Sequence, residues 1–264
     1  MAELWKGAPV AAALTAELAM RAEKLKANGI VPTLAIVRVG ESADDIAYES
    51  AAVKRCEKIS IEVKPFHLPV DCTFEQLLHA IDTINADDGI HGCLLLRPLP
   101  DKEMETAACE RLAARKDMEL PPCTAQACIE LLDFYGAELK GRRICVVGRS
   151  AVVGRPVREL LEARGAAVTV CHSQTEDLPG TCRSAELIVS AVGKAGIITA
   201  DCVSDGQIVV DVGINETPDG KLCGDVDFAA VEPLVSAITP VPGGVGNVTT
   251  AVLCKHLIEA AERE

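Results

Sequence analysis

The fold is decided by residues 143–156, which read RICVVGRSAVVGRP. The first six residues form a nearly continuous β-branched run, as expected for a strand that is covered on both faces. Two glycines, Gly148 and Gly154, separate this strand from a predicted helix. Pro156 fits the first turn of that helix, where a backbone N–H would have no partner. Glycines at such a turn let the backbone approach a phosphate group, whose charge the helix N-terminus favours.

Strands and helices alternate on both sides of this stretch. The predicted strands are residues 33–39, 59–64, the run GCLLLRPLP at 92–100 that Pro98 and Pro100 stop, and residues 143–148, 167–172, 187–192 and 208–213. The predicted helices are residues 8–27, about 43–58, 73–86 with Thr73 as its N-cap, and about 247–264. Because consecutive strands joined by crossover helices pair in parallel, the pattern predicts an α/β protein.

Length and composition narrow the class of protein. At about 150 residues per domain, a chain of 264 residues favours two compact units. Hydrophobic residues make up 49% of the chain and charged residues 25%, which excludes a disordered chain. A net charge of −13 and only 3% aromatic residues argue against nucleic acid as a partner, because nucleic-acid binders concentrate positive charge and stacking surfaces.

The twelve cysteines and five histidines show neither metal-binding nor disulfide spacing. No two cysteines form a C-x-x-C pair, and several lie inside apolar runs, where a thiol behaves as a small hydrophobe. No run approaches the roughly 18 apolar residues of a membrane span, and the N-terminus does not resemble a signal peptide. We therefore expect no metal, no membrane association and a cytoplasmic location.

The end of the predicted strand at residues 167–172 favours NADP over NAD as the cofactor. An NAD enzyme usually has an acidic residue there, which accepts a hydrogen bond from the 2′-hydroxyl of the adenosine ribose. Here the strand ends in CHS at residues 171–173, and the first carboxylate is Glu176. Arg149 and Ser173 can hold a 2′-phosphate through a charge-assisted bond and a hydroxyl donor. NADP is therefore the predicted cofactor.

Two simpler interpretations of these residues stay open. The glycine spacing is G-x-S-x-x-x-G instead of the dinucleotide fingerprint G-x-G-x-x-G, so an ordinary βα turn explains residues 148–154 about as well. His172 is also typical of a strand-end histidine that makes one backbone hydrogen bond. The residues alone therefore indicate a dinucleotide site without excluding a plain turn.

Longer motifs extend over the whole chain in a definite order. They are PTLAIVRVG (32–40), RPLP (97–100), KDME (116–119), PPCT (121–124), GRSAVVGRP (148–156), VTVCHSQT (168–175), VVDVGIN (209–215), GDVDF (224–228) and TPVPGGVGNVTTA (239–251), with Tyr48 on the second predicted helix. Their order and spacing resemble the bifunctional methylenetetrahydrofolate dehydrogenase/methenyltetrahydrofolate cyclohydrolase family. So many long motifs in one order are too specific for a chance match.

The resemblance implies a two-domain α/β fold and a reaction. A smaller catalytic, folate-binding α/β domain would be formed by both chain ends, residues 1–124 and 245–264. A Rossmann-type parallel-sheet domain for the dinucleotide would take residues 125–244, with a folate cleft where the two domains meet. The family forms homodimers. It oxidises 5,10-methylenetetrahydrofolate by hydride transfer to NAD(P), and then hydrolyses the methenyl product to 10-formyltetrahydrofolate.

By matched positions, the resemblance also assigns site residues. Those expected around the dinucleotide are Gly148, Arg149, Ser150, Gly154, His172, Ser173, Val192, Gly193, Ile214 and Thr249. Those expected to line the substrate cleft are Pro242, Gly243 and Gly244, although without the family a simple turn would be the preferred interpretation. The expected catalytic residues are Tyr48, Asp117 and Glu119, of which Glu119 would hold the pteridine in place of the family's aspartate.

Two positions depart from the family pattern together. The family has a Tyr-x-x-x-Lys pair on the helix of Tyr48, but the lysine position is Ala52, and the glutamine that contacts the lysine is Leu96. Lys54 is six residues from Tyr48, so helical periodicity turns it away. Arg97 is next to Leu96, and strand alternation turns it to the opposite face. Losing the glutamine alone would leave a desolvated ammonium without partners, whereas losing both polar groups leaves nothing unsatisfied.

The two reactions depend differently on the missing lysine. Hydrolysis needs proton transfer, to which a positioned acid or base contributes about 10²–10⁴-fold. Hydride transfer depends on aligning two reactants in a dry site. We therefore expect NADP-dependent oxidation of methylenetetrahydrofolate with weakened or lost cyclohydrolase activity. The alternatives are full bifunctionality, if Arg97 or a water replaces the lysine, a dehydrogenase for another reduced pterin, and a non-catalytic dinucleotide-binding paralogue.

Overall fold

The computed structural model describes residues 1–263 and divides the chain into two compact units. The six-stranded unit combines Met1–Ala12 with Pro121–Thr249. The three-stranded unit combines Ala13–Leu120 with the chain from Thr250 onward. Each unit is therefore assembled from separate stretches of sequence.

The strands and helices alternate along most of the chain. In chain order the strands are β1 (Glu3–Leu4), β2 (Thr33–Val39), β3 (Glu62–Leu68), β4 (Gly92–Leu95), β5 (Arg143–Val147), β6 (Ala167–Cys171), β7 (Leu187–Ser190), β8 (Ile208–Asp211), β9 (Asn215–Glu216), β10 (Leu222–Cys223) and β11 (Ala237–Ile238). The helices are α1 (Gly7–Ala27), α2 (Ala43–Ile59), α3 (Phe74–Ala86), α4 (Lys102–Arg111), α5 (Cys123–Phe134), α6 (Gly154–Ala163), α7 (Leu178–Ser184), α8 (Phe228–Val231) and α9 (Thr249–Ala261). None of the described helices combines the length and apolar character that a membrane span needs.

The six-stranded unit contains one parallel sheet in the order β1-β11-β8-β7-β5-β6. β7 and β8 are buried at every residue, and the first three residues of each strand are apolar, as expected for strands covered on both faces. β5 pairs with β6 on one side and with β7 on the other, so the strand order reverses there. In open α/β sheets, ligands bind at the carboxyl ends of the strands at such a reversal. The predicted Rossmann-type parallel sheet is confirmed.

The three-stranded unit contains a parallel sheet in the order β3-β2-β4. The central strand β2 has the bounds that the sequence predicted and is almost completely buried. α3 starts after the predicted N-cap, because the Thr73 hydroxyl accepts from the Gln76 N–H at 3.2 Å and the Gln76 side chain accepts from the Thr73 N–H at 2.8 Å. The predicted second, smaller α/β domain is therefore confirmed.

One predicted strand is displaced. We expected a strand over residues 59–64, but α2 continues to Ile59 and β3 begins only at Glu62. Ser60 adopts the left-handed conformation, with φ 64°, and its N–H bonds to carbonyl groups of the last turn of α2. Ile59 and Ile61 are both buried β-branched residues. Ile59 is the last residue of α2 and Ser60 is its C-cap, so the chain turns here instead of starting a strand.

The division between the units differs from the expected boundaries at the N-terminus. We expected residues 1–124 in the catalytic domain, but the first twelve residues belong to the six-stranded unit. β1 pairs with β11 at the edge of the sheet, and the Trp5 N–H donates to the Ile238 carbonyl at 2.9 Å. The Trp5 ring stacks on Tyr135 at 4.9 Å. A strand of two residues is too short to produce a periodic signal in the sequence.

Candidate active site

The turn between β5 and α6 needs glycine at both of its ends. Gly148 has φ 123°, a conformation that favours glycine, and a Cβ there would overlap the carbonyl oxygen of Ala191. A Cβ on Gly154 would overlap the carbonyl oxygen of Gly148. The backbone therefore folds back on itself tightly at the carboxyl end of β5, where the strand order reverses.

Ser150 occupies the centre of this turn and caps the start of α6. Its hydroxyl oxygen accepts from the N–H groups of Val153 and Gly154, both at 3.2 Å, and its carbonyl accepts from Arg155 at 3.0 Å. Pro156 has no N–H to offer. The N–H groups of Gly154 and Arg155 at the start of α6 are thus already engaged, and the expectation that this helix N-terminus favours the charge of a phosphate stays a prediction. The Ser150 hydroxyl hydrogen, however, is left to donate to an anion.

The end of β6 carries the next pair of expected residues. The His172 N–H donates to the Thr175 hydroxyl at 2.9 Å, and the Gln174 N–H donates to Nδ1 of His172 at 3.2 Å. His172 is therefore part of a local turn, and its expected place beside the dinucleotide stays a prediction. Ser173 and Arg149 are exposed at the carboxyl ends of the neighbouring strands β6 and β5. A hydroxyl and a guanidinium at this edge fit a phosphate group.

Exposed apolar side chains gather at the same edge of the sheet. Val152 follows β5, Val192 follows β7 and Ile214 follows β8, and these side chains are 59%, 42% and 66% exposed. Gly193, next to Val192, is exposed as well. An apolar surface next to a polar turn is typical of a nucleotide site, because a nucleotide has both apolar ring faces and charged phosphate groups.

The segment after β11 is a tightly packed turn. Gly243 has φ 109° and its carbonyl accepts from the Gly7 N–H at 2.8 Å. A Cβ on Gly244 would lie 2.6 Å from the Pro240 carbonyl oxygen, and Pro242 follows a cis peptide bond. Thr249 begins α9 and its hydroxyl donates to the Gly246 carbonyl at 3.1 Å. The geometry explains the glycines as packing requirements, and their expected role toward a ligand stays a prediction.

In the three-stranded unit, the two departures from the family pattern are both buried apolar positions. Tyr48 is partly exposed on α2, and Ala52, one turn later, is 0% exposed. Leu96 is 5% exposed, and its N–H donates to the Val37 carbonyl at 3.0 Å. A lysine and a glutamine at such positions would each need polar partners, which alanine and leucine do not.

The sequence predicts that the two nearby cations, Lys54 and Arg97, face away from positions 52 and 96. Lys54 is exposed to solvent. Arg97 is also exposed, and its guanidinium approaches the Cys109 sulfur of α4 at 3.8 Å. The side chain of Arg97 therefore extends toward α4, whereas Leu96 is buried.

Arg55, which was not among the predicted site residues, lies on the same face of α2 as Tyr48 and Ala52. Its guanidinium donates to the Thr15 hydroxyl at 2.8 Å and to the Thr250 hydroxyl at 3.4 Å. Its position seven residues after Tyr48, two helical turns, was the available signal. Because arginine does not lose its proton near neutral pH, Arg55 cannot act as the acid or base that a lysine could provide.

The two acids among the expected catalytic residues, Asp117 and Glu119, follow a buried lysine. Lys116 is 1% exposed, and its ammonium group donates to the carbonyls of Ile84 at 2.8 Å and Asp87 at 2.7 Å, at the end of α3. The Asp117 carboxylate accepts from the Glu119 N–H at 2.9 Å, and Glu119 itself is half-buried. Asp117 therefore shapes the local turn, while Lys116 fixes the segment to α3.

A charged cluster next to Tyr48 fixes α2 to the sheet. The Glu49 carboxylate accepts from Arg38 of β2 at 2.7 Å and from His67 of β3 at 2.6 Å. Burial alone would raise the pKa of the Glu49 carboxyl, but the hydrogen bonds from His67 and Arg38 outweigh burial and lower this pKa below its ordinary value. Glu49 thus holds the helix turn that carries Tyr48.

We predict that Glu49→Gln lowers the free energy of unfolding by about 1 kcal/mol near neutral pH. Because the folded pKa is lowered, the carboxylate stabilises the fold above the unfolded pKa, and this contribution is lost as the pH falls through the folded pKa. Urea unfolding at about pH 7 and about pH 3.5 should therefore show a smaller difference between Glu49→Gln and the wild type at the lower pH. Glu57→Gln, at an exposed position of α2, is the matched control. Equal destabilisation at both pH values would contradict this role.

No three His, Cys, Asp or Glu side chains within residues 1–263 come close enough to hold a metal ion.

Two family descriptions match the chain. Residues 5–119 match the catalytic domain of tetrahydrofolate dehydrogenase/cyclohydrolase, and residues 122–264 match the NAD(P)-binding domain. The two matches divide the sequence close to the boundary between the compact units at residue 121.

Individual relatives are similar over their whole length. Bifunctional protein FolD of Carboxydothermus hydrogenoformans is 47% identical over 281 residues, which cover 99% of this chain and 98% of that protein. The crystal structure of the bifunctional FolD methylenetetrahydrofolate dehydrogenase/cyclohydrolase from Campylobacter jejuni has a TM-score of 0.93 at 36% identity, with 100% and 99% of the two chains covered. The Trypanosoma brucei methylenetetrahydrofolate dehydrogenase-cyclohydrolase, solved with NADP cofactor and inhibitor, has a TM-score of 0.92 at 31% identity, with 99% and 98% covered.

Proposed function

Because the chain belongs to the tetrahydrofolate dehydrogenase/cyclohydrolase family, we propose that it oxidises 5,10-methylenetetrahydrofolate to the methenyl form with NADP, and that its cyclohydrolase activity is weakened or lost. The observation that carries this proposal is the pair of buried apolar residues, Ala52 and Leu96, at the family's lysine and glutamine positions. In the six-stranded unit, the turn between β5 and α6 has the close backbone approaches that require glycine at positions 148 and 154.

The choice of NADP is supported by the residues at the ends of β5 and β6. Arg149 and Ser173 are exposed there and offer a guanidinium and a hydroxyl to a 2′-phosphate. Ser150 offers its hydroxyl hydrogen to the pyrophosphate, since its oxygen already accepts two backbone N–H groups. The trypanosome relative, at 31% identity, is a protein solved with NADP.

Oxidation requires that a hydride leave the folate methylene carbon while both reactants are held in line. Bound NADP supplies the hydride acceptor, its nicotinamide ring. Tyr48 orients the folate, and Glu119 holds the pteridine through its amino group and ring nitrogen. These two side chains bind and orient, and neither has to carry a proton during the hydride step. Alignment of this kind supplies much of the rate in reactions between two bound partners.

Hydrolysis of the methenyl product differs, because protons must move as water adds and the ring opens. The family's lysine position is Ala52, and the arginine on the same helix face, Arg55, is not a residue type that serves as acid or base. Arg97 extends toward Cys109 instead. Without a positioned acid or base, we expect this step to be slower by about 10²–10⁴-fold.

The experiment that tests the proposal follows two signals at once. Purified protein is mixed with NADP and methylenetetrahydrofolate, and NADPH and methenyl absorbance are recorded. We expect NADPH to form while the methenyl product persists. Decay of the methenyl signal above its rate in buffer would contradict the loss of hydrolysis, and absence of NADPH would contradict the dehydrogenase.

A second candidate function is the full bifunctional activity. It is favoured by the 47% identical relative, which is named as a bifunctional protein. The same assay separates the two functions through the lifetime of the methenyl product. The expected homodimer stays a prediction, which the molecular mass in solution would test.

A further inference from the structure

Asp225 is a fully buried carboxylate that collects five hydrogen bonds from the ends of two strands. One oxygen accepts from the Ser190 hydroxyl at 3.0 Å and from the N–H groups of Val192 at 2.7 Å and Gly193 at 3.3 Å. The other accepts from the Lys194 N–H at 2.9 Å and the Asn215 side-chain amide at 3.1 Å. Asp225 is 0% exposed, so it cannot touch a ligand itself. Its influence must pass through the groups that it binds.

A second buried carboxylate holds Asp225 in place. Asp211, at the end of β8, accepts from the N–H groups of Asp225 at 3.0 Å, Val226 at 2.9 Å and Gly213 at 3.0 Å. A Cβ on Gly224 would overlap the Asp211 carboxylate, and a Cβ on Gly213 would overlap that of Asp225. The glycines in VVDVGIN and GDVDF thus make room for the two carboxylates. The two carboxylates together accept hydrogen bonds from both loops, the one after β7 and the one after β8, and so hold these loops in place.

The hydrogen bonds to Asp225 decide which groups the loop after β7 presents outward. In a trans peptide the C=O points opposite to the N–H of the next residue. Since the N–H groups of Gly193 and Lys194 point at Asp225, the carbonyls of Val192 and Gly193 point away from it. Val192, Gly193 and Lys194 are all exposed. The loop therefore presents hydrogen-bond acceptors, together with the apolar Val192 side chain.

Such a surface suits the nicotinamide-bearing half of a dinucleotide. That half carries hydrogen-bond donors, the carboxamide NH₂ and the ribose hydroxyls, next to an apolar ring face. In a sheet of this type the adenosine ribose lies at the second strand, here β6, and the ligand crosses the reversal beside β5. The other half of the ligand then lies beside the ends of β7 and β8.

We infer that Asp225 is a positioning residue that fixes the loop after β7 so that its carbonyls receive the nicotinamide half of NADP. This inference rests on the proposed function in taking NADP as the ligand. A carboxylate suits the task because it is acceptor-only, whereas an asparagine side chain would turn an NH₂ group toward N–H donors. Buried donors left without an acceptor favour another loop conformation.

The test compares a whole and a partial ligand on three proteins: the wild-type chain, Asp225→Asn and Asp227→Asn. Asp227 is exposed two residues further on, which makes it a matched control. Calorimetry measures the affinity for NADP and for adenosine 2′,5′-bisphosphate, which lacks the nicotinamide half. For Asp225→Asn we expect NADP affinity to fall about tenfold or more, with bisphosphate affinity unchanged. Asp227→Asn should bind both ligands like the wild type.

Equal losses for both ligands would overturn the inference, because they would mean general damage to the unit, and so would unchanged NADP affinity. If Asp225→Asn does not fold, Ser190→Ala replaces it. Ser190 is 0% exposed and its hydroxyl donates to Asp225, so its loss should weaken NADP binding severalfold without changing the affinity for the bisphosphate. No selective effect there would also overturn the inference. A wild-type chain that binds NADP without oxidising folate would refute the proposed function alone, whereas one that binds no NADP would refute both.

Discussion

The double substitution Ala52→Lys with Leu96→Gln is expected to raise hydrolysis of the methenyl product by about 10²–10⁴-fold over the wild-type chain. The lysine would lie one helical turn from Tyr48, and the glutamine would give its ammonium group a polar partner. Dehydrogenase activity should change much less, because no proton has to move in hydride transfer. The decay of methenyl absorbance in the presence of each variant measures the gain.

The single substitution Ala52→Lys shows how much a buried lysine destabilises the fold when the glutamine is absent. Position 52 is fully buried, so a lone lysine there should lower the free energy of unfolding by at least about 2 kcal/mol, and adding Leu96→Gln should recover part of this loss. Ala51→Lys, at an exposed neighbouring position of α2, is the matched control. This variant should show no gain in the rate at which the methenyl product is hydrolysed. A folded double variant without any gain in hydrolysis would show that other parts of the site have diverged as well.

Arg149→Gln should raise KM for NADP by about 10- to 100-fold and leave KM for NAD nearly unchanged. The guanidinium would bind the 2′-phosphate, and a hydrogen bond to a charged group contributes about 1.5–3 kcal/mol. NAD lacks this phosphate, so its binding does not depend on the Arg149 guanidinium. Steady-state kinetics with both cofactors measure the ratio of the two KM values.

A neighbouring arginine provides the control for that experiment. Arg155 is exposed on α6, and its guanidinium lies 3.9 Å from Glu159, so Arg155→Gln removes the same charge from the same region. It should preserve the preference for NADP. If Arg149→Gln weakens both cofactors equally, the arginine supports the turn instead of selecting the phosphate.

Much of the fold could be predicted, because buried parallel strands leave a strong local pattern. β2 has the predicted bounds, and β5 lies within its predicted range, because covered strands need continuous apolar residues. Local patterns fail where one residue changes the backbone direction. Ser60 in the left-handed conformation ends α2 within a run that looked like a strand. They also fail for β1, which exists only through its pairing with β11.

The candidate site was predictable only in part. The glycine turn after β5 could be predicted because its residues are neighbours in sequence. The hydrogen bonds from Val192 to Asp225 could not, because the two residues are 33 positions apart and only the sheet order brings them together. The engagement of the N-terminal donors of α6 by Ser150 likewise depends on atomic positions, which a glycine spacing does not reveal.

The pairing of β1 with β11 has a consequence for how the protein is made. Glu3 lies opposite Ala237 in this pair, so the edge of the six-stranded sheet can form only after residues 237 and 238 have left the ribosome. The other unit is similar, since the thiols of Cys56 in α2 and Cys254 in α9 lie 3.8 Å apart. Neither unit is a contiguous segment that a single cut could release. Removal of residues 1–12 should therefore disrupt the six-stranded unit, and removal of residues 250–263 should disrupt the three-stranded unit.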